Sequence, residues 1–443
     1  MLPDPHPATA TATFAAPTAP PGAPPPPPKH VMLLALGSSG DVHPFMGLGL
    51  ALQRRGHRVT LATNDHFQAL VERAGLTFAS LGTTAEYASA TNNPDVWHPR
   101  RGMQAIMDSG IGDVAARTYD LLASQYVPGC TVAAGTVLAV GGRIAQDKLG
   151  LPYASVGFAP TVVRSLIDVP VHPALPITSA SPRWLKRLMY ALADTLVLDR
   201  TLGPHINPLR RQLGLAPVRG IVRQWWFSPQ LNICMWPATF AAPQADWPGN
   251  SVLTGFPLYD ESGTTPLPDA VRAFLHAPGG PPIVFTPGSA MRFGQPFFAA
   301  AVGACQALGR RGLLLTRYPE QLPAHLPPGL LHADYAPFSQ LLPHVSALVH
   351  HGGIGTTAQA LSAGVPQLIM PMAHDQFDNA ARVQRLGAGE ALAREKFNAP
   401  RLAARLKALL ASTDVTSACA AVARQQAGAP DGCEAAALQI ERL

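Results

Sequence analysis

The sequence predicts an α/β protein made of two Rossmann-like units that face each other across a central cleft. Three observations lead there. Short, almost wholly apolar runs alternate with helical patterns from His30 to Leu81, the same rhythm restarts at Pro282, and glycine-rich turns follow strands in both halves. Apolar runs of this length fit strands buried on both faces of a parallel sheet, and a βαβαβ alternation is the mark of a doubly wound sheet.

The elements follow in order. Residues 1–28 form a Pro/Ala/Thr tract ending in the run Pro24 to Pro28, which reads as a disordered or extended tail. Val31 to Leu36 reads as a strand, Gly37 to Gly40 as a turn, and Pro44 to Arg55 as a helix closed by Gly56. Arg58 to Thr63 is a second strand, Asp65 to Ala74 a helix ending at Gly75, and Leu76 to Leu81 a third strand. The rhythm blurs between Tyr87 and Tyr126, returns at Thr131 to Gly135, and is irregular from Thr161 to Trp236. The Pro- and Gly-rich stretch 246–280 reads as a linker between a first domain, 29–245, and a second, 281–443. In the second, Ile283 to Thr286, Leu313 to Thr316, Ala347 to His350 and Gln367 to Met370 read as strands. Pro296 to Leu308, Thr356 to Ala363, Gln376 to Leu386 and Pro400 to Leu410 read as helices, and the C-terminal helix is placed to return to the first domain.

Composition removes several classes. Hydrophobic residues make up 47% and charged residues 14%, enough for two cores, yet no run approaches the roughly 18 apolar residues of a spanning helix. The net charge of +6 suits an anionic donor, an acidic acceptor or an anionic membrane surface. No block of like charge and no basic stripe interleaved with aromatics occurs, which argues against nucleic acid. The five cysteines are scattered without a CxxC pair, so a disulfide framework or zinc site is not expected and a reducing cytoplasm fits.

Three constellations carry chemistry. His350-His351-Gly352-Gly353-Ile354-Gly355-Thr356 follows a strand and opens a helix. Its glycines allow close approach of backbone N–H groups, and a helix N-terminus favours negative charge. Without a Gly-Lys-Ser/Thr ending it is no triphosphate loop, and a nucleotide diphosphate suits it better. The bland alternative is a tight turn that needs glycine for its geometry. One strand later, Asp375 and Gln376 stand at a strand's carboxyl end, where open α/β sheets hold ligands. They can chelate vicinal hydroxyls, and Asp375 can equally cap a helix. In the first domain, Gly37 to Pro44 carries Asp41 and His43 after the first strand. Either could serve as a general base, and Asp41 also reads as a cap. No Asp-x-Asp triplet and no His-Glu-x-x-His occur. Charge on a leaving diphosphate is therefore expected to be met by backbone dipoles, histidine and hydroxyls, with no metal.

The run from His351 through Gly353, Thr356, Gly364, Pro366, Pro371 and Asp375-Gln376 resembles the donor-binding signature of the UDP-glycosyltransferase-like family with the GT-B fold. Gly37 to Pro44, with Arg55-Gly56-His57 and Val59, looks like the opening of its bacterial antibiotic and sterol branches. A narrower set, including Leu198-Asp199-Arg200-Thr201, Ser228-Pro229-Gln230, Asp246-Trp247-Pro248 and His374 to Ala380, resembles the rhamnosyltransferases of rhamnolipid biosynthesis. The resemblance implies an inverting glycosyltransferase that uses dTDP-L-rhamnose or a related nucleotide sugar and a hydroxyacyl lipid acceptor. It also implies association with the inner-membrane surface and an acyltransferase-type partner protein.

The same resemblance implies roles for single residues. Asp41 stands at the position of the base. Ser39, Gly288 and Ser289 stand near the diphosphate, with His350 or His351 contacting it beside Gly353, Gly355 and Thr356. Tyr335, Pro337 and Phe338 would frame the donor base, and Asp375 and Gln376 would hold sugar hydroxyls. Gln359 stands where uridine-donor members carry a glutamate for the ribose diol, which is compatible with a deoxyribose donor. For the acceptor, Trp97, Trp225 and Trp226 are candidate walls of a lipid pocket, although such residues are more often core. Trp184 to Leu198 carries a helical apolar pattern with Lys186 and Arg187 that reads either as a core helix or as one lying on a membrane surface. A sugar-nucleotide 2-epimerase and a non-catalytic auxiliary are the alternatives from other classes.

Overall fold

The computed structural model describes residues 27–443; the tail expected over residues 1–28 lies, up to residue 26, outside the described residues. Two wholly parallel sheets organise the chain. The first has seven strands: β1 (His30–Leu34), β2 (Arg58–Asn64), β3 (Thr77–Gly82), β4 (Thr131–Thr136), β5 (Tyr153–Gly157), β6 (Leu231–Cys234) and β7 (Ser251–Leu253), in the order β3-β2-β1-β4-β5-β6-β7. The second has six: β8 (Ile283–Thr286), β9 (Gly312–Leu315), β10 (Leu330–Ala333), β11 (Ala347–His350), β12 (Gln367–Ile369) and β13 (Gly389–Ala391), in the order β10-β9-β8-β11-β12-β13.

Every residue of β1, β4, β5, β8 and β11 is buried, as expected for strands with helices on both faces. In the first sheet β1 lies between β2 and β4, with His30 opposite both Arg58 and Thr131. In the second, β8 lies between β9 and β11. At these two places the connections leave in opposite directions, so the loops beyond the strand ends splay apart and open a crevice. The turn at Gly37 to Asp41 follows β1, the turn at Gly288-Ser289 follows β8, and His351 to Gly353 follows β11.

The lobes are joined on one side by a mixed apolar cluster. Trp236, Phe240 and Phe256 pack there with Leu361, Ala380 and Val383 from helices of the second lobe. Beside it Arg382, on the helix Gln376–Arg385, bonds to Asp378 at 2.6 Å and to Asp168 of the first lobe at 2.9 Å. The helix Gly432–Ile440 crosses back and packs on the helix Ser39–Arg54, burying Cys433, Ala436, Ala437 and Ile440 in the first lobe's core. Gly47 makes this crossing close: a Cβ there would meet Cys433 Sγ at 2.8 Å. Glu441 completes the seam by binding Arg55 and His57.

Several expectations need correction. The first helix starts at Ser39, not at Pro44, because Ser38 and Asp41 form a capping box that fixes its start and leaves Pro44 inside the helix. The blurred stretch holds the helices Thr84–Asn92, Gly102–Asp108 and Ile111–Gln125. Part of the expected linker is sheet: β7 pairs with β6, and Asp269–His276 is a helix. Among the described residues no single helix is long and apolar enough to cross a membrane.

Candidate active site

Asp41 sits in the first turn of the Ser39–Arg54 helix. Its Oδ2 accepts from the Ser38 N–H at 2.8 Å and from the Ser38 hydroxyl at 3.3 Å. Gly37 has φ 132°, and a Cβ at that position would lie 2.1 Å from Asp41 Oδ2; only glycine leaves the carboxyl its space. Burial pushes Asp41 up to about 6, against the hydrogen bonds from Ser38. Ser39, next to it, is buried in the same turn.

The second lobe contributes a candidate anion cradle. The helix Ile354–Ser362 begins at Gly353 with no side-chain cap, so the N–H groups of its first turn, Gly355 and Thr356 among them, have no partner at the cleft end. His351 lies between two glycine turns. Its Nε2 is 2.4 Å from where a Cβ of Gly353 would be and 2.9 Å from where one of Gly288 would be, so both glycines are needed to seat the ring. His351 Nδ1 is buried without a partner, and burial pulls the ring down to about 4, leaving it neutral. Ser289 is exposed beside it.

His350 is different. It is wholly buried, its Nδ1 accepts from the Gly352 N–H at 3.1 Å, and its Nε2 pairs with Gln367 Oε1 at 3.0 Å. Both ring nitrogens are spent inside the fold, so of the two candidate histidines only His351 is free to meet a ligand. Gln376 is likewise partly committed: its Oε1 accepts from the Met372 and Ala373 N–H groups. Asp375 accepts from Asn379 Nδ2 at 2.7 Å, and the same amide reaches Gly352 O at 2.9 Å, tying this carboxylate to the Gly352 turn.

The two halves of the site face each other. Burial raises Asp375 to about 7; Asn379 opposes this, and the charge of Asp41 from the other lobe adds to it. Two carboxyl groups thus share the cleft, and the charge of Asp41 disfavours ionisation of Asp375. Tyr87, from the first lobe, is also raised, chiefly by burial and then by Tyr318 of the second lobe and by Asp41. His66 stacks on Tyr87 at 4.3 Å and is lowered by burial and by Arg317 and Arg292.

Those two arginines escaped the sequence reading. Arg292 follows β8 and Arg317 follows β9, both at strand carboxyl ends. Arg292 lies 4.4 Å over the Tyr318 ring with its Nε buried and unpartnered; Arg317 lies 5.5 Å over Tyr335. Neither forms an ion pair or a hydrogen bond with the described residues. Their positions after parallel strands were the available signal. Tyr87 lies in the blurred stretch and gave none.

The remaining predicted residues divide. Tyr335 donates to Asp260 O at 2.5 Å, and Asp260 also accepts from the Ser339 N–H, which pins the loop that carries Pro337 and Phe338. Gln359 is buried on the Ile354–Ser362 helix. His43 has a partner of its own: its Nε2 is 3.0 Å from Glu261 Oε1 and its ring meets Tyr259 edge-on. Through that nitrogen it ties the first helix to the segment between the lobes. Trp97 approaches His374 of the second lobe, with ring centroids 6.2 Å apart. Trp225 and Trp226 do not wall a pocket. Both are buried in the first lobe's core, and Trp225 donates to Asp147 at 2.7 Å between Arg143 and Arg210.

Two nucleotide-fold lobes, with a carboxyl from one and an uncapped helix start from the other meeting in a cleft, define a GT-B protein. Comparison agrees. Residues 31–166 match the glycosyltransferase family 28 N-terminal domain, and residues 315–442 match the erythromycin biosynthesis protein CIII-like C-terminal domain. These two matches, together with the two-lobed architecture, support a glycosyltransferase of GT-B fold. It is 29% identical to the O-mycaminosyltylonolide 6-deoxyallosyltransferase of Streptomyces fradiae, over 93% of this chain and 96% of that one. It is also 29% identical to an uncharacterized glycosyltransferase of Mycobacterium tuberculosis, over 87% and 92% of the two chains. Among solved structures it is similar in fold to the glycosyltransferase of kitacinnamycin, with a TM-score of 0.72, 23% identity and coverage of 94% and 99%. It is similar too to the spinosyn rhamnosyltransferase complexed with thymidine diphosphate, with a TM-score of 0.66, 20% identity and coverage of 94% and 100%.

Proposed function

We propose that the chain is an inverting, metal-independent glycosyltransferase that moves L-rhamnose from dTDP-L-rhamnose to the hydroxyl of a 3-(3-hydroxyalkanoyloxy)alkanoate. The observation that carries the reaction type is that Asp41 lies close enough to Asp375 to influence its ionisation, while Asn379 ties Asp375 to Gly352 and Ile354, at the start of the cradle helix, packs against the first lobe's core. Asp41 accepts the acceptor's hydroxyl proton. The hydroxyl oxygen forms a bond to the anomeric carbon as the bond from that carbon to the diphosphate oxygen breaks. The electron pair leaves on the diphosphate, met by His351, the first-turn N–H groups, and Arg292 and Arg317. A carboxyl near pH 6 suits a base that works at neutral pH, and fixed donors around a leaving diphosphate lower the barrier without reorganising. Asp375 and the Nε2 of Gln376 hold sugar hydroxyls.

The narrower donor and acceptor rest on the motif resemblance and on Gln359, which stands where a ribose diol would favour a carboxylate. The Streptomyces relative, whose name gives a 6-deoxyallosyl group and a tylonolide acceptor, supports a 6-deoxyhexose donor and favours a second reading in which the acceptor is a macrolide or another polyketide. A donor panel decides. The full chain is incubated with dTDP-rhamnose, dTDP-glucose, UDP-glucose or UDP-N-acetylglucosamine and with either acceptor class, and products are read by mass spectrometry and NMR. Transfer of rhamnose to the hydroxyacyl acid supports the narrow reading; transfer only to a macrolide supports the second. A 2-epimerised nucleotide sugar with no transfer would overturn both.

A further inference from the structure

The helix Arg183–Ala193 and the turn Asp194–Leu198 that continues it are amphipathic in an inverted sense. The face turned into the protein carries charge. Lys186 is buried and donates to Leu166 O at 2.6 Å and to Ser179 O at 2.7 Å, and buried Asp194 pairs with Arg164 at 2.6 Å. The face turned to solvent is apolar. Trp184 is 67% exposed, and Leu188, Leu192 and Leu196 follow it at intervals of four, with Val197 at 57%. Residues four apart lie on one side of a helix, so these side chains form a continuous stripe. Of the ten exposed large hydrophobics among the described residues, seven fall between Ile167 and Val197. Single exposed apolar residues are ordinary, whereas this concentration marks a surface meant to be covered.

Charge points to what covers it. Arg183, Arg187 and Arg200 are exposed at the edges of the stripe. The acids of the segment are turned away: Asp194 to Arg164, and Asp199 to the N–H groups of Gly220 and Ile221. A tryptophan-led apolar stripe rimmed by arginine, with no exposed carboxylate of its own, has the composition of a helix that lies in the headgroup layer of an anionic membrane. We propose that this helix docks the protein flat on an anionic phospholipid surface.

The location gives docking a consequence. Leu166 and Ser165 bond directly to the helix, through Lys186 and Tyr190. Within the same loop Asp168 pairs with Arg382, and the Val171 N–H donates to Asp378 Oδ1 at 3.0 Å, on the helix that starts just after Asp375. The docking face therefore lies next to the cleft, where an acyl acceptor could pass from the bilayer without crossing water. Docking stands on the surface alone; delivery of a lipid acceptor rests on the reading given above.

The test is co-flotation of the full chain with vesicles of 3:1 phosphatidylcholine and phosphatidylglycerol, compared with phosphatidylcholine alone, and with no substrate present. Binding is expected to the anionic vesicles, to weaken at high salt, and to fall at least tenfold in the triple variant Trp184→Ser, Leu188→Ser, Leu192→Ser. Arg183→Glu with Arg187→Glu should weaken it through charge. The triple variant should keep wild-type turnover on a short-chain acceptor in detergent-free buffer, which separates loss of docking from loss of fold. Failure to float, or flotation that the triple variant retains, overturns the proposal. So does a wild-type dimer that the triple variant converts to monomer, because the stripe would then be covered by a second copy.

Discussion

Replacing Asp41 with asparagine should stop turnover and, at the same time, make the protein more stable. The carboxyl is buried and its pKa stands near 6 instead of 3.8. Ionising it in the native state therefore costs about 3 kcal/mol relative to ionising it in the unfolded chain. The sign follows from proton binding. Below about pH 3.8 the group is protonated in both states and there is no penalty. Between 3.8 and 6 the native state holds the proton more tightly, so stability falls as pH rises. Above 6 the penalty is complete. Asparagine carries no charge, and its carbonyl can still accept from the Ser38 N–H, so the helix start is kept. For a chain of this size about 3 kcal/mol corresponds to roughly 3 °C in Tm. The variant should melt about that much higher at pH 8 and show no difference near pH 3.5. Loss of the base should lower kcat by at least about 10²-fold, while dTDP binds as well as before or more tightly, since a negative charge has left the cleft. Calorimetry at the two pH values, titration with dTDP and a single-turnover assay measure all of this. Wild-type turnover would remove Asp41 from the mechanism. A lower Tm at pH 8 would refute the argument that its charge is held at a cost.

Four further outcomes are expected. Arg292→Gln or Arg317→Gln should raise the Kd for dTDP about tenfold, the worth of one charge-assisted hydrogen bond, and flatten its salt dependence; unchanged binding in both variants would separate the pair from the donor. His351→Ala should lose turnover at nearly unchanged Tm, whereas His350→Ala should lose stability first, because it leaves Gln367 and the Gly352 N–H unpaired inside the fold. Arg382→Ala should destabilise by about 3–5 kcal/mol in a denaturant titration, since Asp378 would be left buried without its counter-charge. Addition of EDTA should leave the initial rate unchanged, and a strict requirement for a restored divalent cation would contradict the proposed charge neutralisation.

Much of this was legible in the amino-acid order because the strands are buried on both faces. The runs at β1, β2, β8 and β11 read as strands, and the glycine-rich turns after β1, β8 and β11 mark the ends at which a parallel sheet holds ligands. Polar helices were harder. Ile111–Gln125 buries Ile111, Ala115, Thr118, Tyr119 and Leu122 at helical spacing, but alanine and threonine dilute the signal. The doubled histidine could not be resolved from sequence, since a strand alternates its faces and only the partner of each ring decides which one is spent. Trp225 and Trp226 misled for a different reason. Large aromatics suit a lipid pocket and a core equally well, and the choice was made by Asp147, far away in the chain, which captures the Trp225 indole.

The seam formed by Gly432–Ile440 also governs how this protein can be made and recombined. Lys29 and Glu441, bonded at 3.0 Å, are 412 positions apart, so a nascent first lobe keeps an open apolar furrow along its opening helix until the distant closing helix has left the ribosome. A hybrid spliced between the two sheets would set a foreign closing helix into that furrow, against Gly47, Arg54 and Arg55. Exchange of donor lobes is therefore a three-piece problem: the closing segment must travel with the lobe it covers, and not with the lobe from which it emerges.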